Sequence, residues 1–137
     1  MAATLTLTLK NQPSEIGRLV DLLEAFGAQS GLSEDATFKL TLALDEIVAN
    51  VIRHGFGDDQ EHRIEVKVTV DDRTVTASVE DDGREFDPRE APVPDLDLPI
   101  EMRTPGGLGM HLVRQTMDSV EYRRDEGRNI LTVEFAR

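Results

Sequence analysis

The chain has 137 residues, no cysteine and a formal net charge of −12, with 27 acidic against 15 basic side chains. We expect residues 1–137 to form a single domain with its own hydrophobic core, and the lack of cysteine excludes disulfides and thiolate metal sites. The acidity argues against binding to nucleic acid, which needs a basic surface. Because we see no signal peptide and no long apolar run, we expect a cytoplasmic protein without a membrane partner.

The first half of the chain predicts one strand followed by two helices. Alternating leucines over residues 4–10 predict the strand. Apolar residues at helical spacing predict a first helix from about residue 14 to residue 29. Ser33 is expected to cap a second helix that ends near His54, because Gly55 is a suitable C-terminal stop.

The second half predicts two hairpins separated by a loop and a third helix. Alternation over residues 62–70 and 75–79 predicts the first hairpin. Residues 84–105 hold five of the six prolines and show no periodicity, which is typical of a functional lid or a disordered loop. A glycine-rich turn then opens a helix to about Met117, and residues 119–135 are expected to form a closing hairpin.

The predicted order of elements, β-α-α-β-β-loop-α-β-β, indicates the fold class. Strands joined by short turns pair antiparallel, and three amphipathic helices can cover one face of a sheet. We therefore expect an α+β fold, a two-layer α/β sandwich whose mostly antiparallel five-stranded sheet is covered on one face by three helices.

Glu46 and Asn50 are two polar side chains in an otherwise apolar stretch of the second predicted helix. They are four residues apart and therefore share one face. A glutamate there can act as a general base, and an asparagine oxygen is a suitable ligand for Mg²⁺. The alternative is a hydrogen-bonded Glu–Asn pair on a solvated stripe.

A second polar motif, Glu80-Asp81-Asp82-Gly83, ends the first predicted hairpin. An aspartate at the end of a buried strand can present its carboxylate to the edge of a base, and the glycine lets a ligand lie close to the backbone. The alternative is an acidic turn, which commonly follows a strand.

The third motif is the glycine-rich turn Gly106-Gly107-Leu108-Gly109-Met110. Glycines let a backbone approach a ligand, and the first turn of the following helix offers unpaired N–H groups and a partial positive charge. The turn therefore predicts an anion site, with phosphate as the expected anion, and a glycine-rich helix start without a ligand is the alternative. Because the chain is acidic, the anion has to be held by local dipoles, Mg²⁺ or a few arginines.

Taken in order, these motifs resemble the GHKL ATPase superfamily and its Bergerat-type nucleotide-binding fold. Glu46 to Asn50 resembles the N box, Asp81 to Gly83 the G1 box, and Gly107 to Gly109 the G2 box. The segments around these motifs, together with Phe86-Asp87-Pro88, are most similar to anti-sigma-factor serine/threonine protein kinases. The resemblance covers nearly the whole chain.

The resemblance implies an ATP site with a role for each motif. Asn50 would coordinate the Mg²⁺ that bridges the ATP phosphates, and Glu46 would take the proton from an attacking serine hydroxyl or water. Asp81 would accept a hydrogen bond from the adenine amino group, and Arg53 would add positive charge near the phosphates, unless it is a solvated arginine at a helix end. The residues expected to bind the cofactor are Asn50, Arg53, Asp81, Gly83, Gly107, Leu108, Gly109 and Met110.

Two positions depart from the pattern of the wider superfamily. Its G1 box often has a second glycine where this chain has Glu85, and a threonine near the last hairpin often touches the adenine-site network where this chain has Asn129. The sequence contains neither a second domain nor a helix with a phosphoacceptor histidine, so we do not expect a chaperone, a topoisomerase or a complete sensor histidine kinase.

The resemblance therefore implies a small ATP-binding protein kinase of the anti-sigma type. It would phosphorylate an anti-anti-sigma partner of the STAS type on serine or threonine and control a sigma factor. The alternative is a nucleotide-dependent protein-binding regulator with little or no kinase activity. The resemblance is also compatible with a homodimer, for which the sequence itself offers no independent argument.

Overall fold

The computed structural model describes residues 2–90 and 107–137, with side chains from Gly109 onward in the second range. Within these ranges, the elements follow the predicted order and differ from the predicted bounds by one or two residues. The strands are β1 (Ala3–Lys10), β2 (Arg63–Val70), β3 (Thr74–Asp81), β4 (Ser119–Asp125) and β5 (Arg128–Ala136). The helices are α1 (Glu15–Gln29), α2 (Glu34–His54) and α3 (Gly107–Thr116).

The five strands form one sheet in the order β1-β2-β3-β5-β4. Every strand pairing that the structure describes is antiparallel, which confirms the predicted sheet. Because β5 lies between β3 and β4, the end of β3 is paired with the start of β5. This register sets Asp81 directly opposite Asn129.

The helices pack on one face of the sheet, where the apolar positions of the strands point. Alternation along β2 and β3 buries every second side chain, as expected for strands with one face in a core. Leu9 from β1, Leu23 from α1 and Leu44 from α2 are fully buried, and each contributes about 1.5–3 kcal/mol by burial. The predicted two-layer α+β architecture is confirmed.

Helix α2 is fixed at both ends and along one side. The Ser33 side chain accepts a hydrogen bond from the Ala36 N–H at 3.1 Å, as predicted for an N-cap, and the Gly55 N–H closes the helix on the Val51 carbonyl at 2.8 Å. A Cβ at Gly27 of α1 would lie 2.4 Å from the Thr37 hydroxyl oxygen, so the glycine lets α1 lie close against α2. The helix that carries Glu46 is thus firmly placed.

The loop predicted over residues 84–105 is described only to Glu90. A single 3-10 turn, Pro88–Glu90, forms in that part, and the rest of the loop and Gly106 lie outside the described residues. Of the helices in the described ranges, none has the length and apolar character needed to cross a membrane.

Candidate functional site

The Glu46 carboxyl group lies against the first turn of α3. A Cβ at Gly109 would be 1.8 Å from Glu46 Oε2 and 2.2 Å from its Cδ, so the carboxyl group occupies the space that a side chain at 109 would fill. Burial raises the pKa of Glu46, the charge of Asp45 raises it further, and Arg53 opposes both. A half-buried carboxylate with a raised pKa is suited to accept a proton near neutral pH.

Asn50 lies one turn further along α2 and is 4% exposed. Its Oδ1 accepts a long hydrogen bond of 3.4 Å from Nη1 of the exposed Arg53, whereas its Nδ2 is buried without a hydrogen-bond partner among the described residues. An unpaired buried amide group costs free energy. The free Nδ2 is a hydrogen-bond donor and therefore has capacity for a further contact with an acceptor, such as a ligand oxygen.

Asp81 is the last residue of β3 and is 3% exposed. Its Oδ1 accepts hydrogen bonds from the Gly83 N–H at 2.8 Å and from Asn129 Nδ2 at 3.1 Å. Burial raises the pKa of Asp81, and these two hydrogen bonds partly offset the increase. None of the described residues donates to Oδ2, so that oxygen has capacity to accept a further hydrogen bond.

Gly83 makes a close backbone contact between the end of β3 and the end of α2. A Cβ at this position would lie 2.1 Å from the Gly55 carbonyl oxygen. The next residue, Arg84, donates its N–H to the same oxygen at 2.8 Å and its Nε to the His54 carbonyl at 2.8 Å. Packing alone therefore requires glycine at 83, and its proximity to a purine ring stays a prediction.

Asn129 joins the elements around Asp81. Its Nδ2 also donates to the Arg84 carbonyl at 2.8 Å. Its Oδ1 accepts from the Tyr122 hydroxyl and from Arg124 Nη1. Sequence reasoning noticed position 129 but missed Tyr122 and Arg124, although the alternation of β4 predicts that Tyr122 faces the core.

A small cavity of about 10 Å³ lies between α2 and the sheet. This volume is room for about one water molecule, so a purine ring cannot enter it unless a wall moves. Asp81 and Asn129 are polar groups in a mostly apolar lining, as is common in ligand sites. The lining residues are Ile47, Val51, Gly55, Val79, Asp81, Phe86, Pro88, Tyr122, Asn129 and Leu131.

The segment Phe86-Asp87-Pro88 closes one side of this cavity. The Phe86 ring lies 5.7 Å from that of His54, and Pro88 is buried. Asp87 forms an ion pair with Arg89, with Nη2 and Oδ2 at 2.8 Å. The segment is therefore held against the end of α2.

The predicted phosphate-binding turn is described from the first residue of α3. Gly107 begins the helix, Gly109 contacts Glu46 and Met110 is 2% exposed. Because the Met110 side chain is buried, a ligand can reach this residue only through its backbone. The side chain of Leu108 and all of Gly106 lie outside the described residues. The structure thus brings Glu46 and Gly109 into contact.

Comparison with known proteins yields one family and several relatives. The model of a family described as a histidine kinase-like ATPase domain matches residues 9–135. The serine/threonine-protein kinase BtrW of Bordetella bronchiseptica is 32% identical over 111 residues, which cover 81% of this chain and 78% of that protein. The serine-protein kinase RsbW of Listeria monocytogenes is 29% identical over 136 residues, which cover 96% of this chain and 85% of that protein.

A solved structure has the same fold. The crystal structure of the RsbU and RsbW domains of a Mycobacterium tuberculosis protein matches with a TM-score of 0.70 and 20% sequence identity. The match covers 98% of this chain and 33% of that one, so this chain spans about one third of the length of that solved chain. At this identity the likeness shows the fold alone.

Proposed function

Because this chain belongs to the family of proteins with a histidine kinase-like ATPase domain, we propose that it is an ATP-dependent serine/threonine protein kinase of the anti-sigma type. The observation that carries the proposal is the position of the Glu46 carboxyl group, half-buried on α2 and held against the first turn of α3. This places a candidate base beside the helix start at which an anion is stabilised. Relatives named as serine and serine/threonine protein kinases support the same activity.

Asp81 recognises the base of the nucleotide. Its Oδ1 is held by Gly83 and Asn129, so its Oδ2 accepts a hydrogen bond from the adenine amino group once a wall of the small cavity has moved to admit the ring. A guanine, which has a carbonyl oxygen at that position, would place two acceptors against each other. The same contact therefore selects ATP over GTP.

The phosphates lie toward the start of α3, within reach of backbone N–H groups of Gly107, Leu108, Gly109 and Met110. The protein has a formal net charge of −12, so its overall field repels a nucleotide and binding depends on local groups. Arg53, exposed at the last turn of α2, adds a positive charge near this end.

Asn50 fits a role in holding Mg²⁺. Its Oδ1 accepts only a long hydrogen bond of 3.4 Å from the exposed Arg53, and amide oxygens are among the ligands that Mg²⁺ accepts. Its Nδ2, which has no partner among the described residues, can donate to a phosphate oxygen. When bound, Mg²⁺ neutralises charge on the phosphates during transfer. A buried amide nitrogen without a partner among the described residues supports a ligand there rather than a purely structural role.

Glu46 removes the proton from the attacking hydroxyl group. As the new bond between the serine or threonine oxygen and the γ-phosphorus forms, the bond from that phosphorus to the bridging oxygen breaks, and ADP leaves with the electron pair. The hydroxyl proton moves to the Glu46 carboxylate. The raised pKa of Glu46 makes it a stronger base than an exposed glutamate.

The protein substrate is an anti-anti-sigma protein of the STAS type, and the regulated partner is a sigma factor. Both assignments rest on the similarity of the three motifs and of Phe86-Asp87-Pro88 to anti-sigma-factor kinases. We place the protein in the cytoplasm without nucleic-acid or membrane partners and treat residues 1–137 as one domain. A homodimer is compatible with the same resemblance.

The proposal is tested by incubating the protein and Mg-ATP with STAS proteins from the same genome. We expect one of them to be phosphorylated on serine or threonine by the wild type. Glu46→Gln should lower transfer by about 100-fold or more while ATP still binds, and Asn50→Ala should weaken binding of Mg-ATP. Glu65→Gln, on an exposed position of β2, is the matched control and should act like wild type.

Three results would contradict parts of the proposal. ATP binding without transfer to any STAS protein would favour a nucleotide-dependent binding regulator. Undiminished transfer by Glu46→Gln would remove Glu46 as the base. Lack of ATP binding by the wild type would exclude both functions.

A further inference from the structure

Gly109 is a glycine that the backbone conformation does not require. Among the described glycines, only Gly31 and Gly127 have a positive φ, so an alanine at 109 would be unstrained. Alanine is also the better helix former, and position 109 lies within α3. The reason for glycine here is therefore space, either for a neighbouring side chain or for a ligand at the backbone, rather than backbone freedom.

The space is taken by the end of one side chain. An ideal Cβ at 109 would meet Oε2, Cδ and Cγ of Glu46 at 1.8, 2.2 and 2.8 Å. Helix α3 cannot simply move away, because Met110 and Val113 anchor it in the core with exposed fractions of 2% and 1%. The glutamate, by contrast, can rotate its flexible end, so this clash is relieved by moving the carboxyl group.

We propose that Gly109 is a positioning residue, whose missing side chain sets where the Glu46 carboxyl group lies. The inference rests on the proposed function in taking Glu46 as the base for phosphoryl transfer. A methyl group at 109 would leave the fold intact and displace the base. Since a reacting group has to be held within about 0.5 Å of its productive position, such a displacement is costly for transfer.

The test compares wild type, Gly109→Ala, Glu46→Asp and the double variant. At saturating Mg-ATP, with the STAS substrate found in the assay above, Gly109→Ala should lower kcat by about 10-fold or more with an unchanged melting temperature. Aspartate is one methylene shorter and makes room for the methyl group. Glu46→Asp should therefore cost much less in the Gly109→Ala background than in the wild-type background.

Gly17→Ala is the matched control. Gly17 also lies in a helix, and a Cβ there would meet nothing within 4 Å. This variant should keep the kcat and the pH–rate profile of the wild type. In Gly109→Ala, the acidic limb of that profile should move toward the ordinary value for glutamate, because the displaced carboxyl group is better solvated.

Two outcomes would overturn the inference. One is a double variant whose loss equals the product of the two single losses, since independent effects multiply. The other is equal weakening of ATP binding by Gly109→Ala in the Glu46 and Glu46→Ala backgrounds, which would mean that the methyl group acts on the nucleotide directly.

A readout without activity separates this inference from the proposed function. Titration of the Glu46 side-chain carbon by NMR should give a lower pKa in Gly109→Ala than in the wild type, whether or not the protein is a kinase. An unchanged titration would overturn the positioning role. A shifted titration in a protein that transfers no phosphate would instead contradict the proposed function alone.

Discussion

Asn129 donates a hydrogen bond of 3.1 Å to Asp81 across the β3–β5 pair, and the two residues are 5% and 3% exposed. The bond is made to Oδ1, which also receives the Gly83 N–H. Asn129 is itself oriented, since its Oδ1 accepts from Tyr122 and Arg124. The orientation of Asp81 therefore depends on β4 and β5 as well as on its own strand.

This network predicts that ATP affinity depends on a residue that need not touch ATP. Asn129→Ala removes the strongest hydrogen bond that lowers the pKa of Asp81, and loss of a buried hydrogen bond to a charged group costs about 1.5–3 kcal/mol. We expect ATP affinity to fall by about 10- to 100-fold in calorimetry. Asn129→Thr, which keeps a hydroxyl donor, should lose less.

The control for this change is Arg128→Ala. Arg128 is the neighbour of Asn129 in β5, and its Nε pairs with Glu80 Oε1 at 2.9 Å rather than with Asp81. Its side chain is 35% exposed, so ATP affinity should stay near that of the wild type. Equal losses in both variants would mean that β5 is merely destabilised and that the Asp81 contact is not responsible.

Gly83→Ala should destabilise the fold. Its Cβ would meet backbone, the Gly55 carbonyl, at 2.1 Å, and backbone cannot rotate away as a side chain can. We expect a loss of about 1–3 kcal/mol in the free energy of unfolding, measured in denaturant. Gly57→Ala, with nothing within 4 Å of its Cβ, should lie within about 0.5 kcal/mol of the wild type. Equal stability of the two variants would contradict this role of Gly83.

The order of strands and helices was predictable because each element carries a strong periodic pattern between clear stops. Leucines alternate through β1, and Ser33 and Gly55 limit α2. The position of Asn129 opposite Asp81 was harder to predict from the sequence, because it depends on the register of β5 against β3. Alternation along a strand indicates which face a residue takes but not which residue lies across from it.

The candidate site was predictable only within single elements. Spacing places Glu46 and Asn50 on one face of α2, and no tertiary information is needed for that. The contact of Glu46 with Gly109 joins residues that are 63 positions apart, and it follows from the packing of α3 on α2. The close contact between the backbones of Gly55 and Gly83 also depends on tertiary packing. From the sequence alone, both residues look like ordinary loop glycines.

The pH–rate profile of transfer should respond in opposite directions to two neighbours of Glu46. The base acts when ionised, so activity falls as the pH drops through its pKa, which is raised above 4.5. Asp45→Asn removes a charge that raises this pKa and should move the acidic limb to lower pH. Arg53→Gln removes a charge that lowers it and should move the limb to higher pH. Lys67→Gln, at an exposed position of β2, is the control and should leave the acidic limb unchanged. Movement of the acidic limb in the same direction in Asp45→Asn and Arg53→Gln would contradict the assignment of Glu46.

His62 should make stability depend on pH near neutrality. Its Nε2 lies 2.7 Å from Asp58 Oδ1 and its Nδ1 lies 3.2 Å from Asp82 Oδ1, while its ring stacks on Phe56 at 4.3 Å. The hydrogen bond with Asp58 is the main cause of a pKa raised above 6.5 in the folded state, and Asp82 adds to it. A raised pKa means that protonation of His62 favours the folded chain. The resulting stabilisation is complete below pH 6.5 and is lost as the pH rises through the folded-state pKa.

The expected result is a difference in melting temperature between wild type and His62→Gln that is largest near pH 6 and shrinks toward about pH 8. The difference should be small and should decrease at high salt, because Asp58 and Asp82 are each half exposed and solvent screens the pairs. Asp58→Asn should reduce the pH dependence more than Asp82→Asn, since the Asp58 hydrogen bond is the larger cause of the raised pKa. Melting temperatures that change with pH in parallel for wild type and His62→Gln would show that other groups cause the dependence.

Because Asp82 lies between Asp81 and Gly83 in the sequence, His62→Gln should also be assayed for ATP binding. A wild-type affinity that weakens as the pH rises above the pKa of His62, together with an affinity in His62→Gln that is weak at every pH, would show that protonated His62 holds the Asp81 turn in place.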